Sequence, residues 1–181
     1  LPSPAFTATG HIKKGSKSII WDNGKTYADK ESGQIEQTFG EDVIRCGIAI
    51  DKSDIETGMG APLGGASIDG AVFEVVNQSA NPVRVGGVLY AKGQTVATLT
   101  VKDGVATTDS DGDGTDRTLP FGTYTVREAS AGEGYNVSAD VCTINASEFT
   151  TDGKVVKKTR DDKSGIENQV KRGDFELIKA S

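Results

Sequence analysis

The chain has 181 residues, with 20 basic and 26 acidic side chains, a formal net charge of −6 and 23 glycines. That length supports one good core with parts of a second unit, and an acidic balance without a basic, aromatic-interleaved patch argues against nucleic acid as a partner. No apolar run is long enough to insert in a membrane, and a single histidine (His11) with two cysteines leaves too few side chains for a His-based catalytic dyad or a His/Cys zinc site.

Asp-Gly and Asn-Gly pairs recur at 23–24, 69–70, 103–104, 111–112, 113–114 and 152–153, and the runs between them are short and rich in Val, Ile, Thr and Tyr. Such pairs favour tight hairpin turns, and no long stretch has a helical period. The fold class is therefore all-β, a sandwich of about seven strands.

In chain order, residues 1–45 are polar and mixed, a flanking segment with a hairpin expected around Asp22-Asn-Gly-Lys25. Residues 29–37 echo residues 161–169. Each copy is followed by a basic residue (Arg45, Arg172) and then by an alternating strand ending in lysine (Lys52, Lys179). The echo describes a tandem array: the tail of one unit in 1–45, a complete sandwich in 46–172, and the opening strand of a following repeat in 173–181, where Phe175, Leu177 and Lys179 alternate.

The complete unit opens with a strand over 47–53, an acidic turn at 54–58 and a Gly-rich loop to 70. The strand at 71–76 points Ala71, Phe73 and Val75 inward. An insertion at 77–95 reads as an irregular strand pair. Residues 96–101 and 104–108 read as a hairpin about Lys102-Asp-Gly104, followed by an acidic loop over 109–116. Further strands are expected over 124–129, over 135–144, near Val155-Val156 as a hairpin partner, and over 165–171.

Three of these strands carry polar groups in phase with their core residues. Ile48, Ile50 and Lys52 share one face; Tyr124, Val126 and Glu128 share another; Ile166, Asn168 and Val170 a third. A carboxylate carried into a core needs a partner or a task. Burial favours a neutral lysine amine, which is a nucleophile. An acid that keeps its proton in an apolar site can polarise a carboxamide and relay protons. The set could therefore close an amide bond between Lys52 and Asn168 with loss of ammonia, once per molecule. The plainer reading is a buried Lys–Glu ion pair with Asn168 as a hydrogen-bond partner, or a Lys52 that reaches water at a strand end.

Family resemblance agrees with the first reading. Lys52-Ser-Asp-Ile-Glu-Thr-Gly58, Ala61-Pro-Leu-Gly-Gly65 and Gly70-Ala-Val-Phe-Glu-Val75 resemble the opening of a Cna-B-type (SpaA-like pilin, prealbumin-like) domain. Leu119-Pro-Phe-Gly-Thr-Tyr-Thr-Val-Arg-Glu128 with Gly134-Tyr135 resembles its middle, and Ile166-Glu-Asn168 with Val170-Lys-Arg-Gly173 its end and the join to a next repeat. The resemblance spans roughly 46–172. It implies a cell-surface adhesin or pilin module of a Gram-positive bacterium, with a Lys52–Asn168 isopeptide bond, Glu128 as the catalytic acid, no cofactor, and neighbouring domains of the same chain as partners. The chain departs from the family in lacking the Pro usual before Gly134-Tyr135 and in the insertion at 77–95.

Two further candidates remain. Asp109, Asp111 and Asp113 have the 1, 3, 5 spacing and the position-6 glycine of a calcium loop, but Pro120 stands where its closing Glu belongs; the alternative is an acidic surface loop. Cys46 and Cys142 could pair as a disulfide outside the cell, or stay as buried free thiols. No signal peptide begins the chain, which points to removed targeting segments or an excised piece. The expected function is a structural stalk or backbone module. Its alternative is a ligand-binding adhesin domain that contacts a host surface or matrix ligand through 77–95 or 58–70; a turnover enzyme has almost no residue support.

Overall fold

The computed structural model describes residues 42–174 and, upstream of them, the backbone of four strands. The chain divides into two units, Leu1–Asp42 and Val43–Ser181. In the first, β1 (Thr7–Ile12) pairs antiparallel with β4 (Gly33–Thr38), and β2 (Ser18–Ile20) pairs antiparallel with β3 (Thr26–Ala28). The turn expected at 22–25 lies outside the described residues, as does the strand expected at 175–179.

The second unit is a sandwich of two sheets. β6 (Ile48–Asp54) is the centre of one. It pairs antiparallel with β11 (Val105–Thr107) on one side. On the other side it pairs in parallel, first with β15 (Val156–Lys158) and then with β16 (Ile166–Asn168). The facing sheet is antiparallel throughout, in the order β10 (Thr95–Thr100), β7 (Val72–Asn77), β13 (Tyr124–Ser130), β14 (Val141–Ile144). β5 (Arg45–Cys46) pairs with β12 (Leu119–Pro120), and β8 (Val83–Val85) with β9 (Val88–Tyr90) in the 77–95 insertion.

Alternation decides which side chains fill the space between the sheets. Ile48 and Ile50 from β6, Phe73 and Val75 from β7, Tyr124 and Val126 from β13, Ile144 and Ile166 are all fully buried. Among the described residues the only helical element is a single 3₁₀ turn, Ala146–Glu148.

Three connections differ from the sequence reading. The turn at 102–105 forms as expected, with Asp103 and Gly104 at positive φ (51° and 77°) and both cross-turn hydrogen bonds made at 3.0 Å. Its arms then part, β10 joining β7 and β11 joining β6, so it is a corner between sheets. Val156 is not a hairpin partner: after the Asp152-Gly153 turn the chain joins β6 in parallel. The strand expected from 135 to 144 is ordered as a strand only at Val141–Ile144, with a single bridge at Tyr135. The backbone between them is engaged elsewhere, by side chains of the site described next.

Candidate functional site: a buried Lys–Glu–Asn cluster

The inward faces of β6, β13 and β16 each end in a polar residue. Lys52 follows Ile48 and Ile50, Glu128 follows Tyr124 and Val126, and Asn168 follows Ile166. The register β6–β16 puts Ile166 beside Lys52 and Asn168 beside Asp54. The three side chains therefore converge at one end of the core, with Lys52 0%, Glu128 6% and Asn168 1% exposed.

Lys52 Nζ contacts Asn168 Oδ1 and lies 3.3 Å from Glu128 Oε1, an oxygen that makes no proper hydrogen bond of its own. Glu128 Oε2 accepts from Asn168 Nδ2 (2.7 Å) and from the backbone N–H of Ser138 (2.6 Å). The second hydrogen on Nδ2 goes to the carbonyl of Asn136 at 2.7 Å. A carbonyl can only accept, so it fixes which end of the carboxamide is nitrogen, and Oδ1 is left facing the lysine.

Loss of water lowers the Lys52 pKa from its ordinary 10.5, and the charge and hydrogen-bonding capacity of Glu128 oppose the shift only in part. Moving one proton across the 3.3 Å gap turns an ammonium–carboxylate pair into an amine and a carboxylic acid. Low dielectric favours that uncharged arrangement. Amine, acid and carboxamide in contact are the reagents for a transamidation.

Reading the sequence face by face missed four contributors. The carbonyl of Asn136 and the N–H of Ser138 carry no side-chain signal at all. Asp54 and Tyr135 are both buried, joined by a 2.7 Å hydrogen bond from the phenol to Oδ2. Asp54 Oδ1 also accepts the backbone N–H groups of Glu56 (2.7 Å) and Thr57 (3.0 Å). Burial raises the Asp54 pKa, but these donors outweigh it and hold the carboxyl below its usual range. The hints available were in the family resemblance, whose quoted motifs include both Asp54 and the Gly134-Tyr135 pair.

The other candidates are not drawn into this cluster. Cys46 and Cys142 are both buried free thiols, the second of the two alternatives left open by the sequence. Cys46 Sγ lies 3.3 Å from both the N–H and the carbonyl of Thr150, while Cys142 sits opposite Val126 on β14. Burial pushes the Cys142 thiol up to about 11. Carboxylate oxygens of Asp109, Asp111 and Asp113 come within 4.8 Å of one another. However, Asp109 already accepts from the N–H groups of Gly112 (2.9 Å) and Gly114 (3.0 Å), and Asp113 from Thr115 (2.7 Å). Pro120, in the position of the closing ligand, is tied into β12. The loop folds on its own acceptors.

Three solved structures are similar to the chain: the Bacillus anthracis TIE protein (16% identity, TM-score 0.45), the group B streptococcus pilus 2b backbone protein (19%, 0.45), and BcpA, the major pilin subunit of Bacillus cereus (16%, 0.43). They are matched over 93%, 81% and 94% of this chain, which spans only 26%, 47% and 40% of theirs. No curated protein matches. The family model for the SpaA prealbumin-like fold domain matches residues 48–164, so that it takes in Lys52 and Glu128 and stops just short of Asn168. With well over half of its length matched, the chain belongs to the SpaA prealbumin-like fold domain family.

Proposed function

We propose that this chain is a structural module of a Gram-positive surface protein, a stalk or pilus backbone, stapled by an isopeptide bond between Lys52 and Asn168. The observation that carries the reading is the contact of a buried lysine amine with a buried carboxamide, with a carboxyl group beside both. Neutral Lys52 Nζ attacks Asn168 Cγ. The Nζ–Cγ bond forms, the Cγ–Nδ2 bond breaks, and Nδ2 leaves as ammonia. Glu128, carrying the proton it received from Lys52, gives it to the departing nitrogen and takes the one shed by the attacking nitrogen, so it ends as it began.

The product suits a load-bearing part. β6 opens the sandwich and β16 closes it, as adjacent parallel strands. A covalent bond between them would let tension enter at one terminus of the unit and leave at the other without peeling the ladder between. The amide carries no charge, so the interior would no longer have to hold an ionisable lysine. Neighbouring domains of the same chain would be its partners, and the outer surface of the cell wall its place.

The intact mass of the purified chain tests this directly. The expected value is the sequence mass less one ammonia, and a fragment pair joined through Lys52 and Asn168 after digestion. An unchanged mass would remove the proposal.

A second reading, ligand binding, is favoured by one feature. The β8–β9 hairpin exposes Val88 and Leu89, and Leu89 shares a groove of about 480 Å³ with Val43 and the half-exposed Phe121. Binding of a matrix protein or glycan array by the isolated chain, lost in Leu89→Asp, would support it.

A further inference from the structure

The cluster depends on two backbone groups that belong to no regular strand, the carbonyl of Asn136 and the N–H of Ser138. We propose that Tyr135 and Asp54 form a latch that positions these two groups, making Tyr135 a positioning residue for amide formation. The proposal rests on the Lys52–Asn168 reading and adds to it what orients the carboxamide for attack.

The latch is built from both flanks of the site. Asp54 is the last residue of β6, two beyond the lysine, and lies in register with Asn168. Its carboxylate gathers the turn that follows through Glu56 and Thr57, and its second oxygen takes the phenol of Tyr135. Tyr135 bridges to Val170 just beyond Asn168, and the flanking bonds Asn136 N–H to Gln169 O (3.0 Å) and Lys171 N–H to Gly134 O (2.7 Å) extend that pairing. The segment is also pressed down from above. Gly132 has no room for a Cβ because the carbonyl of Ser67 fills the space, Gly134 is at φ +82° against Ala66, and Ser67 N–H donates to Glu133 O at 2.9 Å.

What the latch delivers is specific to the reaction. In the starting carboxamide the nitrogen lone pair is delocalised, and both hydrogens on Nδ2 are donated, one to Asn136 O and one to Glu128 Oε2. As Nζ bonds to Cγ, Nδ2 becomes a tetrahedral amine that takes up a proton, and its remaining hydrogens turn more acidic. A fixed carbonyl acceptor interacts more strongly with that nitrogen than with the amide it came from, which is the condition for lowering a barrier. The Ser138 N–H meanwhile fixes the Glu128 oxygen that faces the leaving nitrogen. Neither Tyr135 nor Asp54 reaches the reacting atoms; they act through the backbone of 136–138.

The test follows amide formation in the full chain during timed cell-free synthesis. A brief trypsin pulse before each quench ensures that only folded chains are counted, and intact mass scores the loss of ammonia. A purely structural role would reduce the folded population but leave the rate within it unchanged. Tyr135→Phe keeps the ring and removes the phenol. It is expected to slow the reaction among folded chains about tenfold, the scale of a sub-ångström misplacement. Ser138→Pro deletes the N–H at Glu128 without touching the core and should slow it similarly, which covers the case in which Tyr135→Phe fails to fold. Val75→Ala, a core truncation away from the site, should leave the rate among folded chains unaltered. A parental rate in Tyr135→Phe, or in Ser138→Pro where Tyr135→Phe does not fold, would overturn the latch while the cross-link stands. A parental chain that never loses ammonia would overturn the reading beneath it.

Discussion

Two clusters of ionisable side chains stand out in this molecule, and they occupy opposite surroundings. Lys52 and Glu128 come from strands in facing sheets, meet in a dry interior with Asn168, and have only one another and two backbone groups for partners. Asp109, Asp111 and Asp113 come from one loop at the surface, where local N–H groups already occupy Asp109 and Asp113. The neighbouring carboxylates raise the Asp111 pKa, yet with water at hand the repulsion is screened and nothing else is demanded of the group. Proximity is common to both clusters. Desolvation and the absence of alternative partners single out the interior cluster as the one proposed to react.

Removing the amine is the strongest way to break this contrast. Lys52→Ala removes the amine of the proposed cross-link, which would join residues 116 apart in sequence. Closing a loop of that length is worth about 4–5 kcal/mol in the chain-entropy model. Calorimetry should show a large drop in Tm and digestion a loss of trypsin resistance. A stability change below about 1 kcal/mol, no more than an exposed ion pair contributes, would mean the interior cluster is no different in kind from the surface one.

Glu128→Gln isolates the acid. The side chain keeps its size but can no longer exchange a proton with Lys52 across the 3.3 Å gap. Amide formation should slow by about 10²–10⁴-fold, the usual worth of a positioned acid–base group, so that chains harvested early retain their ammonia. Parental kinetics would show that Lys52 and Asn168 react by proximity alone.

A smaller effect concerns pH. In Asn168→Ala the amine has nothing to attack and remains titratable. Burial lowers its pKa from 10.5, so over the interval between the lowered value and 10.5 the unfolded chain binds more protons than the folded one. Stability must rise with pH across that interval: the penalty is full below it and gone above it. Urea titrations of Asn168→Ala and Lys52→Ala/Asn168→Ala, subtracted, should show this upward slope. The parental chain should lack it, because an amide nitrogen does not titrate there. An identical slope in the parent would indicate a free Lys52.

The fold class and the inward positions of Lys52, Glu128 and Asn168 were legible because strand alternation is a local code, and each of the three follows buried residues at a spacing of two. Sheet membership was not legible at the 102–105 corner. The turn there has ordinary hairpin chemistry, and whether its arms stay paired depends on long-range strand pairing, Leu99 with Phe73 in one sheet and Ala106 with Ile50 in the other. Asn136 and Ser138 escaped for a different reason. Their contributions are a carbonyl and an N–H, which every residue but proline possesses, so no residue type could mark them. The cysteines followed the same limit: their burial was foreseeable, whereas Cys46 being taken up by Thr150 depends on a contact between residues 104 apart.

The smallest expected effect tests the surface side of the comparison. A calcium loop gains its affinity from oxygens left free to converge on the ion, with a bidentate carboxylate closing the sphere. Here Asp109 gives both oxygens to Gly112 and Gly114, Asp113 gives one to Thr115, and Pro120 supplies no side-chain ligand. Coordinating an ion would therefore mean exchanging hydrogen bonds that already hold the loop. Millimolar calcium should leave the Tm of the chain within the scatter of a sodium control at equal ionic strength, and Asp111→Asn, which relieves the repulsion from Asp109 and Asp113, should raise stability slightly. A calcium-specific rise in Tm that disappears in Asp111→Asn would show that ligand exchange is cheaper than the loop's geometry implies, and that the exposed cluster is a site after all.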